Sequence, residues 1–264
     1  MELLQNYNPI SDHGSSKFYS IIIDKGDTLR VVTNKLYDSG LIKNKEFFEF
    51  FAKLYNFEKS IKSGSYNISN SLSIKEILNK LNSGKVVQNR ITIPEGMTNA
   101  IFFKILVSNE LLSGTLKFSD LPKEGYLAPD TYFYEKGEKR IALLNRIQKV
   151  QFKRINKIWS NRKKNNILTS LHELVILASI IEKESGNYEE LNLISSVLHN
   201  RLRKKMRLQA DPTVIYGITR GKNLRRSLTK SDLRTNSIYN TYIINGLPPN
   251  PICNPGEAAL KAAA

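Results

Sequence analysis

The sequence predicts an α+β fold, and three observations carry that prediction. Strand-like and helix-period segments alternate across residues 17–120. Strongly helical patterns then dominate residues 141–206. Finally, 41% of the 264 residues are apolar, enough to bury a sizeable core in one large or two ordinary domains.

Residues 1–16 read as a polar leader. Phe18 to Ile23 (FYSIII) is aromatic and β-branched, as a strand requires. From Thr28 the spacing Leu29, Val32, Leu36 suits a helix capped by Asp27 or Thr28 and stopped by Gly40. A second helix over about 45–56 carries Phe47, Phe48, Phe51 and Leu54. Gly64 to Ile68 and Val86 to Ile93 read as strands. Small-residue turns at Ser71-Leu72-Ser73 and Gly96-Met97-Thr98 each open a further helix.

Residues 121–137, with two prolines and two glycines, read as a loop and short strand, and as the seam between two halves: 17–120 and 121–264. Helical spacing returns at 141–159, 168–184 and 189–206. Residues 245–256 (NGLPPNPICNPG) exclude regular helix or central strand, so a rigid, shaped loop is expected.

The formal net charge of +16 draws the protein to polyanions without choosing among them. Cys253 is the single cysteine, which excludes an internal disulfide, and His13, His172 and His199 share no metal-ligand spacing. No metal and no cofactor are expected. No stretch approaches the roughly 20 apolar residues of a membrane span, and the first residues lack a signal peptide's apolar run.

One residue breaks a local rule. On a wheel of about 100° per residue, Glu184 falls among Leu177, Ile181, Leu174 and Ile180, whereas Glu182 falls outside that arc. An apolar surround and the negative end of the helix dipole would both raise the pKa of Glu184. A carboxyl kept protonated is what general-acid cleavage of a glycosidic bond requires. The alternative on spacing alone is a glutamate that leaves the frayed helix end and pairs with a lysine.

ASIIEKESG (178–186), VLHNRL (197–202), RLQADPTVIYG (207–217) and YNTYIINGLPPNPICNPG (239–256) occur in one order, preceded by IPEGM (93–97) and APDTY (128–132). Together they resemble the endolytic murein transglycosylases, the MltG or YceG-like family, over about residues 18–264. The resemblance implies a LysM-like peptidoglycan-binding region over 17–120, a mainly helical catalytic domain over 121–264 with a Pro-rich active-site loop, and Glu184 as catalytic residue. It also implies endolytic cleavage between N-acetylmuramic acid and N-acetylglucosamine, with 1,6-anhydro ends, on nascent glycan strands beside peptidoglycan synthases.

Gln209, Asp211, Asn200, Tyr239 and Asn240 are the candidate substrate contacts, having amide, carboxylate and hydroxyl groups suited to a neutral polar ligand. Asp211 before Pro212 is equally a turn or helix start, and Asp130 an ordinary turn residue. The expected partners are glycan strands and synthases, with no nucleic acid. Compared with the family pattern both ends look truncated, so a membrane contact is expected only through an N-terminal anchor outside this chain, in a parent protein of the bacterial inner membrane facing the wall. The rival reading is a peptidoglycan-binding module without catalysis.

Overall fold

A computed structural model describes residues 17–24, 26–57, 60–84, 89–163 and 167–264. The leader expected over 1–16, the Val86 end of the third strand and Lys164 lie outside the described residues. The contacts divide the chain into two compact units, the first holding the residues up to Asn89 with Phe133–Lys136, the second Arg90–Tyr132 with Gly137–Ala264. Residues 90–120, grouped with the first half on sequence, therefore belong to the second unit. The hydrogen bonds show why: Gly96 N–H reaches Asn254 O (3.1 Å) and Asn254 N–H reaches Met97 O (2.9 Å).

In the first unit β1 (Phe18–Ile23) pairs antiparallel with β2 (Gly64–Ser69), from Phe18 opposite Ser69 to Ile23 opposite Gly64. Between the strands lie α1 (Leu29–Asp38) and α2 (Lys45–Leu54), and α3 (Ile74–Ser83) follows. Each helix starts where a side-chain oxygen takes an orphan backbone N–H: Thr28, Asn44 and Ser73, the last in a reciprocal capping box with Glu76. Alternate residues Ile21 and Ile23 of β1 pack with Val32, Leu36, Phe48, Tyr66, Ile77 and Leu81 in one core. The buried Tyr66 hydroxyl keeps its partners, donating to Lys62 O at 2.6 Å with Leu81 O at 3.1 Å.

The chain passes between the units at β3 (Asn89–Thr92) and β4 (Thr131–Tyr134), which pair as a second ribbon. The second unit contains α4 (Asn99–Val107), α5 (Arg140–Ser160), α6 (Leu171–Glu184), α7 (Leu191–Arg203), α8 (Asp211–Thr219) and α9 (Glu257–Ala263). Residues 235–256 hold no helix or strand. The short helix at 257–263 is not foreshadowed by the sequence reading.

At the centre runs α6, which packs against α5, α7, α8 and α9. Ser170 caps it, and eight successive residues from Leu174 to Ile181 are buried. Each of its Leu and Ile side chains contributes about 1.5–3 kcal/mol by leaving water. Truncating fully buried Leu177 to alanine would cost about 2–5 kcal/mol. Among the described residues no helix is long and apolar enough to cross a membrane.

Candidate active site

Glu184 is the last residue of α6, after which Ser185 turns extended (φ −83°, ψ 133°) and ends the helix. Contrary to the wheel, Glu184 is exposed and Glu182 is half-buried. The reason lies in α6 itself. A helix buried on every side has no apolar arc, so angular position ceases to sort its residues.

The Glu184 carboxyl nevertheless meets a crowded end of the unit. Its pKa is raised, chiefly by desolvation and then by the charge of Asp211, while a hydrogen bond from the Asp211 backbone and the charge of Arg201 pull it down. An ionisable carboxyl that is both raised and accessible has the properties of a proton donor.

Asp211 opens α8, with Pro212 in its first turn, so the sequence alternative of a helix start holds at this position. Tyr242 donates to Asp211 Oδ1 (2.6 Å). This segment is stitched to the loop after α8: Gln209 N–H donates to Thr241 O (3.1 Å), Ala210 N–H to Thr241 Oγ1 (2.9 Å) and Arg207 to Tyr242 O (3.0 Å). Arg201 on α7 donates to Leu208 O and so fixes the other side of the turn.

Gln209 lies within this turn with φ +49°, a left-handed conformation that a side chain with a Cβ enters at a cost. It is exposed. Such local strain persists where the surroundings over-determine it, and here hydrogen bonds to Thr241 on either side of the Gln209 Cα hold it.

The other candidates separate. Asn200 is exposed and accepts from Arg203 (3.2 Å), in a groove of about 540 Å³ shared with Asn192, Ser196 and Ala262 that does not include Glu184. Tyr239 is buried, its ring 4.9 Å from that of Tyr216 with Arg220 over its face. Asn240 is fully buried, donating to Leu233 O and Thr235 O and accepting from Tyr242 N–H, so it holds the loop together and has no face for a ligand. Thr241, Tyr242 and Arg201 belong to the site and escape the sequence reading. The motif YNTY contains two of them, but nothing local says that Tyr242 is the one to reach Asp211.

The Pro-rich segment is pinned from within. Asn254 is fully buried; its Oδ1 accepts from Gly125 N–H (3.0 Å) and Leu127 N–H (2.9 Å), and its Nδ2 reaches Met97 O, Asn99 Oδ1 and Glu124 Oε1. Glu124 also accepts from Asn99 N–H (2.7 Å) and Tyr216 (3.3 Å). Desolvation outweighs those bonds and raises its pKa to about 7. Asp130 is a turn residue that accepts from Thr131 N–H and pairs with Arg154.

The sequence profile of the YceG-like family matches residues 21–264. The chain belongs to the YceG-like family. It is 31% identical over 280 residues to the endolytic murein transglycosylase of Bacillus subtilis, covering 92% of this chain and 74% of that relative. The endolytic murein transglycosylase of Streptococcus pneumoniae serotype 2 is 27% identical, covering 99% of this chain and 54% of its own length, so the chain spans about half of that relative. The crystal structure of a YceG-like protein from Listeria monocytogenes is 29% identical and matches with a TM-score of 0.57, over 93% of this chain and 89% of that one. Of the motifs that carried the resemblance, RLQADPT meets the end of α6 through Asp211, whereas IPEGM, through Gly96 and Met97, meets Asn254, as do Gly125 and Leu127 just before APDTY.

Proposed function

We propose that the chain cleaves peptidoglycan glycan strands endolytically as a lytic transglycosylase, with Glu184 as acid and then base. The observation that carries this reading is the Glu184 carboxyl at the end of α6, raised in pKa and facing Asp211, in a chain whose relatives are named endolytic murein transglycosylases.

Glu184 first gives its proton to the oxygen between N-acetylmuramic acid and N-acetylglucosamine, and the bond to the muramyl carbon breaks through an oxocarbenium-like state. The resulting carboxylate takes the proton of the muramyl 6-hydroxyl as that oxygen attacks the same carbon. A 1,6-anhydro ring closes and the carboxyl is restored. Intramolecular attack supplies through proximity what a water and second carboxylate supply in hydrolases. Asp211, held by Tyr242, and the exposed Gln209 are the contacts proposed for substrate, and nascent strands beside synthases the proposed setting. The order β1, α1, α2, β2 supports a LysM-like, wall-binding role for the first unit, and residues 245–256 the role of an active-site loop.

The test is digestion of purified, uncrosslinked glycan strands by this chain and by Glu184→Gln, read by mass spectrometry. Anhydromuramyl ends from the unsubstituted chain alone support the proposal. Reducing ends would make it a hydrolase, and no cleavage by a folded chain would leave a wall-binding module.

A further inference from the structure

The last turn of α6 lies beyond the buried stretch of the helix, and its carbonyls lack the partners that mid-helix groups have. Residues 252–256 run along the C-terminal half of the helix and hook onto it at two residues, Ser179 within the buried stretch and Glu182 beyond it. Ile252 N–H donates to Ser179 Oγ (3.0 Å), with the Cys253 thiol on Ser179 O (3.3 Å), and Gly256 N–H donates to Glu182 Oε2 (2.9 Å). Ser179 and Glu182 are three residues apart, hence on one face of the helix.

The strap is itself fixed by Asn254 and by buried Gln151, which donates to Pro255 O (3.0 Å) and Gly125 O (3.3 Å). At Gly256 a Cβ would collide with the Glu95 carboxylate. Glu95 is held in turn by Tyr188 (2.6 Å). Gly96 lies alongside Glu182: a Cβ built on it would meet the Glu182 Cγ at 3.5 Å, an ordinary van der Waals distance. The Glu182 carboxyl is therefore engaged by Gly256 N–H, while Glu184, about 200° further around the helix, faces Asp211.

From this geometry we infer that Glu182 is a positioning residue, which through Gly256 N–H sets the rotation and depth of the final α6 turn and so aims Glu184. The inference rests on the reading of Glu184 as the catalytic acid. The two glutamates of the EKE segment then have separate roles, the more buried one anchoring the helix end and the accessible one transferring protons.

The test compares Glu182→Ala, Glu182→Gln and Glu184→Gln on uncrosslinked glycan strands, with amide hydrogen exchange at Gly256 measured in the same proteins. Glu182→Ala is expected to lower kcat about 10- to 100-fold, as misplacing a reacting group does, with KM changed less than about twofold. Glu182→Gln keeps an oxygen acceptor and is expected to restore kcat to within about threefold of the parent, with the parent's pH profile. Gly256 should exchange faster in Glu182→Ala and stay protected in Glu182→Gln. Glu182→Gln as inactive as Glu184→Gln would overturn the inference by making Glu182 a proton carrier. Parent-like kcat or unchanged Gly256 exchange in Glu182→Ala would overturn it by removing the anchor. Cleavage by none of the proteins, the parent included, would refute the transglycosylase reading and the aim of Glu184 with it, while the exchange data would still decide the anchor.

Discussion

Tyr242 donates a 2.6 Å hydrogen bond to Asp211 Oδ1 and thereby holds a negative charge beside Glu184. That charge raises the pKa of Glu184, and a general acid loses activity as pH rises through its pKa. Asp211→Asn should therefore move the alkaline limb of the kcat/KM profile to lower pH. Arg201 acts in the opposite sense, so Arg201→Gln should move it to higher pH. A limb that stays in place in both variants would detach the limb from Glu184.

Glu124 supplies a stability prediction. Its pKa rises from 4.5 to about 7 on folding, so between those values the folded state binds more protons than the unfolded state. Its contribution then becomes less favourable as pH rises through that window, by up to about 3 kcal/mol. Glu124→Gln, which cannot ionise, should gain stability relative to the parent as pH rises from 4.5 to about 7, with no further gain above. Urea midpoints at several pH values measure this, and a difference independent of pH would contradict it.

Asn254→Ala would leave the buried N–H groups of Gly125 and Leu127 without their acceptor. At about 1–3 kcal/mol for each of these two groups left unsatisfied, the loss should be about 2–6 kcal/mol. Chemical denaturation would register it as a lowered midpoint, and a loss below about 1 kcal/mol would mean that the three segments are held by other contacts.

The left-handed backbone of Gln209 separates stability from binding. Gln209→Gly should leave the unfolding free energy within about 0.5 kcal/mol, the relief at positive φ offsetting the entropy glycine loses on folding. Gln209→Val should cost about 1–2 kcal/mol, because a β-branched side chain fits that conformation poorly. If the Gln209 amide binds substrate, both variants raise KM; an unchanged KM in Gln209→Gly would assign the residue to the turn alone.

Some features are plain in the sequence because their causes are local. Thr28 and Ser73 announce helix starts through oxygens three residues from the N–H groups they serve, and FYSIII announces a strand by composition. Asn254 is opaque because its partners lie more than a hundred residues away, at Met97, Asn99 and Gly125. The wheel misjudges Glu182 and Glu184 because it assumes one wet face, which α6 lacks. The helix over 257–263 is hidden by the Pro and Gly residues before it, although its alanines are strong helix formers.

The uninterrupted burial of Leu174–Ile181 bears on how the protein is made. LVILASII is uncharged and rich in β-branched residues, the profile of a segment that self-associates when bare. Its cover includes α9, which leaves the ribosome long after α6 does. The charges flanking the run, Glu173 before it and Glu182-Lys183-Glu184 after it, stand where gatekeeper residues stand, on either side of an unavoidable apolar stretch. The EKE segment is thus both the end of the helix in the folded chain and the charged border of the apolar run that the unfolded chain exposes.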